Sequence, residues 1–253
     1  MGRSNELARI NLANSNLARA VAQQVDASVS EAEHLLDNLV FDLQRSDFDQ
    51  AVFERLQPML VNQVARTAQL KGLFIYDKDG RWMVSSEAAV DLSLNNADRA
   101  YFIQHRSNTS AETRIGAPVI SRSSSQWVVP LSRRIVAPDG SFAGVALATL
   151  NLTHFRELAA RFDVGRQGAV TLISGDGLLL RLPFNASDTG RQLPSSRALK
   201  LFASAPSGTT EVFSPLDGIA RVVAFDHTRN YPILITVAVA VAVAVGKDEA
   251  LRP

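Results

Sequence analysis

The chain has 253 residues, of which 46% are hydrophobic, and it contains no cysteine. This length and apolar content allow one large packed domain or two small ones. The formal net charge of +1 argues against a general nucleic-acid-binding protein, because such proteins usually carry a clear basic excess. The lack of cysteine fits an oxidising compartment without disulfides, although many cytosolic proteins also lack it.

The first predicted element is one long helix from Glu6 to Leu43. Apolar residues recur there at intervals of three and four, and no Gly or Pro interrupts the pattern. This predicts an amphipathic helix on the order of 55 Å long. A helix longer than the usual globular one must cross a whole domain or pack along a partner. The spacing also suits a coiled-coil-like seam, although Asn and Gln interrupt it.

The first copy of a repeated unit follows. A second helix, capped by Ser46, is predicted to run to about Leu70, with a kink or break at Pro58. The segment 73–84 predicts a hairpin, because two apolar runs flank Asp79-Gly80, a strong turn signal. A loop at 87–97 leads to a short helix capped by Asp98. Strands are then predicted near 115–121, 126–135 and 142–150.

The same hairpin pattern recurs about a hundred residues later, around Asp176-Gly177. Each copy also has a later Asp-Gly turn that opens an apolar strand, at Asp139-Gly140 and at Asp217-Gly218. The second copy is about 19 residues shorter between its turns. A helix at 153–162 connects the copies, and the second copy is predicted to hold strands near 168–173, 178–182, 209–213, 219–227 and 233–244, with a short helix at 196–202. Helices followed by hairpin-connected strands predict an α+β fold of two tandem antiparallel units.

No segment of the chain predicts a membrane-spanning helix or a signal peptide. The most apolar segment, Ile233–Val245, has 13 residues, too few to cross a bilayer as a helix. Its alternation of Val and Ala favours a strand. The chain as given is therefore expected to be soluble, and its bare N-terminal helix is compatible with an excised piece of a membrane receptor.

The sequence gives little support to an enzyme. His34, His105, His154 and His227 are isolated from one another and lack the spacing of helical metal sites. No Gly-x-Ser-x-Gly elbow or cysteine nucleophile is present. We predict no catalytic residue, no metal ligand and no cofactor.

One cluster, between Asp98 and Arg134, carries a candidate binding site. From Arg99 to Arg134 there are six arginines and one acid. Arginine matches a carboxylate bidentately, and the aromatic residues in the cluster can wall an apolar pocket. The alternative is a purely structural role, in which the arginines form a solvated face and the aromatic residues belong to the core. The aromatic residues are Tyr101, Phe102 and Trp127.

Strand and helix periodicity suggests how this cluster is arranged. Alternation along a strand puts Trp127, Val129 and Arg133 on one face, so Arg133 could reach a pocket floored by Val129. On the short helix, Tyr101 and His105 are i,i+4 neighbours. The second copy lacks a comparable cluster, so the asymmetry of the repeat predicts a single site in the first copy.

At these residues the chain resembles the extracytoplasmic double Cache domains, or PDC sensors, of bacterial transmembrane histidine kinases and diguanylate cyclases. The resemblance rests on Asp-Arg-x-Tyr-Phe at 98–102, the strand that carries Trp127, and the Pro-Asp-Gly-Ser-Phe-Ala-Gly-Val segment at 138–145. It implies two PAS-like units: a stalk and dimerisation helix at 1–45, a larger membrane-distal unit at 46–152, a linking helix with a smaller membrane-proximal unit at 153–245, and a tail at 246–253 toward a second transmembrane helix.

The resemblance also implies the function of a periplasmic ligand sensor within an inner-membrane receptor. By position it implicates Arg99, Tyr101, Trp127 and Arg133 in ligand binding, together with His105, Ser121 and Arg122. The amino-acid-binding branch adds an Asp for the ligand's ammonium, and no acid follows Trp127 before Asp139. A small carboxylate is therefore the expected ligand. The alternative is a module that reads a periplasmic partner protein.

Overall fold

We describe a computed structural model of the chain at residues 2–46, 49–87, 91, 93–174, 177–193, 195, 197–214 and 216–240. The predicted turn residues Gly175 and Asp176 and the predicted tail at 246–253 lie outside the described residues. The helices are α1 Gly2–Gln44, α2 Gln50–Arg66, α3 Ala100–Ser107, α4 Leu152–Ala160 and α5 Arg197–Ser204. The strands are β1 Leu70–Asp77, β2 Trp82–Ser85, β3 Arg114–Ile115, β4 Val119–Ile120, β5 Trp127–Val136, β6 Phe142–Leu150, β7 Ala169–Ser174, β8 Gly177–Leu182, β9 Ser207–Phe213, β10 Ala220–His227 and β11 Ile233–Ala240.

The chain divides into two compact units. The first unit is Ser28–His154, and the second unit combines Met1–Ala27 with Phe155–Pro253. The first sheet has the order β2-β1-β6-β5-β3, with β4 also paired to β5, and the second has the order β8-β7-β11-β10-β9. All these pairs are antiparallel. The predicted α+β class with two antiparallel sheets is confirmed.

The predicted long helix is confirmed as α1, whose 43 residues extend over about 64 Å at 1.5 Å per residue. Its fully buried positions follow the predicted intervals of three and four: Ala18, Val21, Val25, Val29, Ala32, Leu36, Val40 and Leu43. This spacing lines one side of a helix and buries it against a sheet. Over the described residues, no helix has both the length and the apolar character that a bilayer crossing requires.

In the first unit, α1 lies on one face of the sheet, which we call the outer face. Asp37 accepts hydrogen bonds from Arg133 of β5 and from Thr113, the latter at 3.1 Å. Nearer the N-terminus of α1, Glu31 accepts a hydrogen bond of 2.6 Å from Gln69. These polar contacts tie the helix to β5 through Arg133 and to the residues just before β3 and β1 through Thr113 and Gln69.

Helix α2 begins later than the sequence predicts. The Asp49 carboxylate accepts the 2.9 Å hydrogen bond from the Val52 amide that an N-cap makes. The Ser46 hydroxyl instead donates to the Leu43 carbonyl at 2.9 Å, at the end of α1. Ser46 is therefore not the cap. Pro58 lies within α2, so it does not end the helix.

The opposite, inner face of the first sheet is covered by α3. Within this helix Phe102 is fully buried, and its ring meets that of Phe142 edge to face at 5.5 Å. His105 is also buried, and its Nε2 lies 3.0 Å from the Ser132 hydroxyl of β5. The Arg134 guanidinium donates to the His105 carbonyl. These contacts hold α3 against β5.

Gly144 permits the close pairing of β6 with β1. Its φ is +153°, and a Cβ at this position would lie 2.0 Å from the Tyr76 carbonyl oxygen. Only a residue without Cβ fits here, because the obstacle is backbone of the paired strand rather than a movable side chain.

We expect Gly144→Ala to destabilise the protein by about 3 kcal/mol or more, since the clash and the backbone strain act together. Gly140 also has a positive φ, +84°, but a Cβ at that position would have no atom within 4 Å. Gly140→Ala should therefore cost only about 1 kcal/mol. Urea unfolding of both variants measures the difference, and equal losses would contradict this account of the β1–β6 pairing.

We expect His105 to make stability fall as the pH drops from about 6.5 toward 4. Burial, with nearby arginines, lowers the pKa of His105 to about 4, whereas an unfolded histidine titrates near 6.5. Between these values the unfolded chain binds a proton that the folded chain does not, so lower pH favours unfolding. For this group alone the loss is about 2 kcal/mol between pH 7 and pH 5.

Urea unfolding at several pH values tests this contribution. His105→Gln should reduce the difference in unfolding free energy between pH 7 and pH 5, while the same substitution at the exposed His34 should leave it unchanged. An unaltered pH dependence in His105→Gln would refute the assignment.

Candidate functional site

A small pocket, with a cavity volume of about 20 Å³, lies on the inner face of the first sheet, between the sheet and α3. The central strands β1, β6 and β5 form its floor, and residues 119–122 form one side. We call it the first pocket. Its lining residues are Phe74, Tyr76, Trp82, Asn96, Arg99, Tyr101, Val119, Ile120, Ser121, Arg122, Val128, Pro130, Leu147 and Thr149.

Aromatic side chains of the β1–β2 hairpin form the apolar wall of the first pocket. The Trp82 ring lies 5.1 Å from that of Phe74 and 5.6 Å from that of Tyr76. All three are buried. Phe74 and Tyr76 reach the same face because they are two residues apart on one strand.

A chain of hydrogen bonds orients the polar groups of this wall. The Trp82 indole donates to the Asn96 side-chain oxygen at 3.1 Å, and the Asn96 amide donates to the Tyr101 hydroxyl at 2.7 Å. Burial raises the pKa of both Tyr76 and Tyr101, so both keep their protons. A tyrosine hydroxyl is a donor as well as an acceptor, so the Tyr101 hydroxyl, whose oxygen accepts from Asn96, can donate to a ligand.

Two arginines with different partners stand at the first pocket. Arg122 forms a bidentate pair with Asp98, at 2.8 Å and 2.7 Å. That pairing lowers the pKa of the Asp98 carboxyl. Arg99 donates to the Ile120 carbonyl at 2.9 Å. Among the described residues it pairs with no carboxylate, so the site carries one uncompensated positive charge.

The pairing of Asp98 with Arg122 overturns one prediction. Asp98 is not the cap of α3; the residue before the helix is Arg99, and its side chain makes no capping hydrogen bond. A carboxylate gains more from a bidentate guanidinium than from one backbone amide, because both partners are charged. Asp98 thereby holds Arg122, which lines the first pocket.

The first pocket brings together four of the residues that the sequence selects: Arg99, Tyr101, Ser121 and Arg122. The Ser121 hydroxyl lies 3.0 Å from that of Ser123. Phe102 and His105 lie next to Tyr101 on α3 but point into the core behind it. Trp127 is 37% exposed at the start of β5, opposite Ile120 in the sheet.

Val129 and Arg133 lie on the face of β5 that is turned away from the first pocket. Val128 and Pro130 line the pocket, and successive residues of a strand point to opposite faces. Arg133 instead reaches Asp37 of α1. The sequence-based prediction put the odd-numbered residues of β5 at the pocket, whereas the even-numbered residues line it. An offset of one residue along a strand selects the opposite face.

Sequence reasoning missed several pocket residues. Phe74, Tyr76 and Trp82 were assigned only to a hairpin, although their concentration in one hairpin was a usable signal for an aromatic wall. Asn96 gave no signal, because its role depends on reaching Trp82 and Tyr101 at once. The remaining missed residues are Val119, Ile120, Val128, Pro130, Leu147 and Thr149.

The chain matches known proteins in sequence and in structure. A family model described as a Cache domain, dCache_1, matches residues 3–252. The extracellular domain of rpHK1S-Z16, a protein classed as a histidine kinase, is 31% identical, with a TM-score of 0.84 over 92% of this chain and 95% of that one. No curated protein matches the chain.

Two amino-acid chemoreceptors of Pseudomonas aeruginosa PAO1 share the fold at lower identity. The ligand-binding domain of PctB, solved with L-Arg, is 18% identical, with a TM-score of 0.68 over 94% of this chain and 95% of that one. That of PctC, solved with GABA, is 16% identical, with a TM-score of 0.69 over 92% and 99%.

The match to the family model extends over almost the entire chain, and the two antiparallel sheets that follow one long helix agree with it. The resemblance carried by residues 98–102 and 138–145 is therefore confirmed. Cache domains are extracellular sensor domains of membrane receptors and not catalytic domains. The chain belongs to the double Cache (dCache_1) family of sensor domains.

Proposed function

We propose that this sensor domain binds a small organic carboxylate in the first pocket and belongs to a transmembrane receptor of the histidine kinase or diguanylate cyclase type. The observation that carries the proposal is the Arg99 guanidinium, which lines the pocket and has no carboxylate partner among the described residues. A charge in a partly dehydrated pocket gains most from a ligand of opposite charge. The cavity volume of about 20 Å³ restricts the site to a ligand of few atoms.

The groups around Arg99 suit a carboxylate in particular. A guanidinium offers a planar pair of donors that fits the two oxygens of a carboxylate. The Tyr101 hydroxyl, which lines the pocket, can donate a further hydrogen bond to the same ligand. The apolar wall of Phe74 and Trp82 would then cover the remaining carbons and exclude water.

The acids near the first pocket do not favour a ligand with an ammonium group. Asp98 is held by Arg122, and Glu87 accepts a 2.6 Å hydrogen bond from Ser123. Among the residues that the structure describes, the lining contains no Asp or Glu. PctB and PctC are solved with amino-acid ligands, and we propose that the present domain keeps the carboxylate end of such recognition without the ammonium end.

We assign supporting roles to the remaining candidate residues. Phe102 and His105 fix α3, and with it Tyr101, against the sheet. Val129 and Arg133 seat β5 on its outer face, where Arg133 binds Asp37. Trp127 lies beside Ile120 at the start of β5, close to residues that line the pocket.

In the receptor, we place the first unit distal to the membrane and the second unit proximal to it, outside the cytoplasmic membrane and between two transmembrane helices. Dimerisation along α1 would bring two domains together. A ligand then signals only if it binds one arrangement of the receptor more tightly than the other, since equal affinity for both shifts no equilibrium.

We expect Arg99→Ala to weaken binding of the best carboxylate ligand by about 10-fold to 100-fold, the usual value of a hydrogen bond to a charged group. Isothermal titration calorimetry with acetate, malonate, succinate, glycine and GABA identifies that ligand. Arg106→Ala is the matched control, because Arg106 lies on α3 but is exposed and outside the pocket. Equal affinity in Arg99→Ala and the parent protein would refute the site.

A thermal-shift screen separates this proposal from a module that reads a periplasmic partner protein. A small ligand stabilises the folded state in proportion to its occupancy. The absence of any hit among small carboxylates and amino acids would favour the partner-reading alternative.

For dimerisation, we expect Leu12→Glu to reduce the dimer fraction of the purified domain in light scattering. Leu12 is an apolar side chain of α1 that is 64% exposed, so a partner helix could cover it, and a charge there would oppose this. Gln23→Glu introduces the same charge at an exposed position of α1 and should have a smaller effect. A dimer fraction unaffected by Leu12→Glu would exclude this part of α1 from the interface.

A further inference from the structure

The second unit contains a larger pocket than the first, with a cavity volume of about 100 Å³. It lies between α5 and one face of the second sheet, and we call it the second pocket. Alternate residues of β7, Ala169, Thr171 and Ile173, form part of its floor.

The second pocket occupies the position in its unit that the first pocket occupies in the other. In the order of each sheet, β7 corresponds to β1, β11 to β6 and β10 to β5, and α5 follows the hairpin as α3 does. The side chains differ, however. Where Phe74 and Tyr76 fill the first pocket, the smaller Thr171 and Ile173 stand at the same positions relative to the hairpin bulge and leave space in the second.

One end of the second pocket holds a buried cluster of charges. Arg221 forms a bidentate pair with Asp217 at 2.7 Å and 2.8 Å, and its Nε donates to the Gln167 carbonyl at 3.0 Å. Arg181 also donates to Asp217. The side chains of Arg181 and Arg221 are only 10% and 5% exposed. Hydrogen bonds from Arg221 and Arg181 lower the pKa of Asp217, so its carboxyl is ionised.

This cluster carries a net charge of +1, because two arginines share one carboxylate. The described lining of the second pocket contains no acidic side chain. A buried charge without full compensation is costly, and an anion in the pocket would remove that cost. Arg181 is the cation with donors to spare, since Asp217 is already held in a bidentate pair by Arg221.

The rest of the second pocket is mainly apolar. Its walls include the apolar side chains of Ile173, Ala198, Leu199, Phe202, Val212 and Val223. A small, strongly hydrated anion would leave this surface exposed to water, whereas a ligand with a hydrocarbon body would cover it. The cationic end and the apolar remainder of the pocket together suit a ligand that is an amphipathic anion.

We propose that the second unit is a second binding site, for a monocarboxylate with an aliphatic or aromatic body. The carboxylate lies at Arg181 and Arg221, and the hydrocarbon body lies between α5 and the sheet. This site is separate from the first pocket and does not depend on the ligand proposed there. Sequence reasoning expected no comparable cluster in this copy, because the residues involved are dispersed between 169 and 238.

Calorimetry with octanoate on the whole domain tests the proposal. Ala198→Leu fills the second pocket and should weaken octanoate binding at least tenfold. Ala203→Leu is the matched control: it makes the same substitution at an exposed position of α5 and should change affinity less than twofold. Arg99→Ala, in the first pocket, should also leave octanoate binding intact.

The role of charge is tested with octanamide, an uncharged ligand of the same length. Arg181→Gln should weaken octanoate at least tenfold and octanamide less than twofold. Arg181 is the better target than Arg221, since Asp217 keeps its bidentate partner when Arg181 is replaced. Melting temperatures of the unliganded variants show whether each has folded.

Three results would overturn the proposal. The first is an absence of octanoate binding at millimolar concentration. The second is an affinity in Ala198→Leu equal to that of the parent domain. The third is equal affinity of the parent domain for octanoate and octanamide, which would remove the anion from the assignment. A loss of octanoate binding in Arg99→Ala but not in Ala198→Leu would assign the ligand to the first pocket.

Discussion

The central strands of both sheets are buried on their two faces, and the alternation of side chains along each strand assigns every residue to one face. In the first unit the outer face lies under α1 and the inner face under α3. Val129 and Arg133 point to the outer face, while Val128 and Pro130 point to the inner face. The positions of pocket, core and helix contacts all follow from this register, since a shift by one residue would exchange the two sets.

The sequence predicted those elements whose signal is periodic or local. The three-and-four spacing of apolar residues identified α1, and the Asp-Gly turns located hairpins in both copies. The face of β5 was not predictable from pattern, because a strand buried on both sides lacks the alternation that distinguishes core from solvent. Asp98 was misassigned because a local capping signal competes with Arg122, which is distant in sequence and becomes adjacent only on folding.

The candidate site was predictable in part for the same reason. Arg99, Tyr101, Ser121 and Arg122 lie in two short segments whose residue types stand out, and all four line the first pocket. The aromatic wall comes from a hairpin that was assigned to structure alone. The second pocket depends on small residues such as Ala169 and Ala198. Small residues in a sequence do not by themselves show whether the space beside them is a pocket or is filled by neighbouring side chains.

The two pockets use the same electrostatic arrangement at different depths. Each has one arginine held bidentately by an aspartate, Arg122 by Asp98 and Arg221 by Asp217, and each has a second arginine that the aspartate does not fully neutralise. Asp98 is 70% exposed, so solvent and salt screen the first arrangement. Asp217 is 27% exposed beside nearly buried arginines, so the residual charge there acts in a lower dielectric and attracts an anion more strongly. Besides its arginine, the first pocket offers a ligand hydroxyl donors. The second pocket instead offers the apolar surface that its small residues leave uncovered.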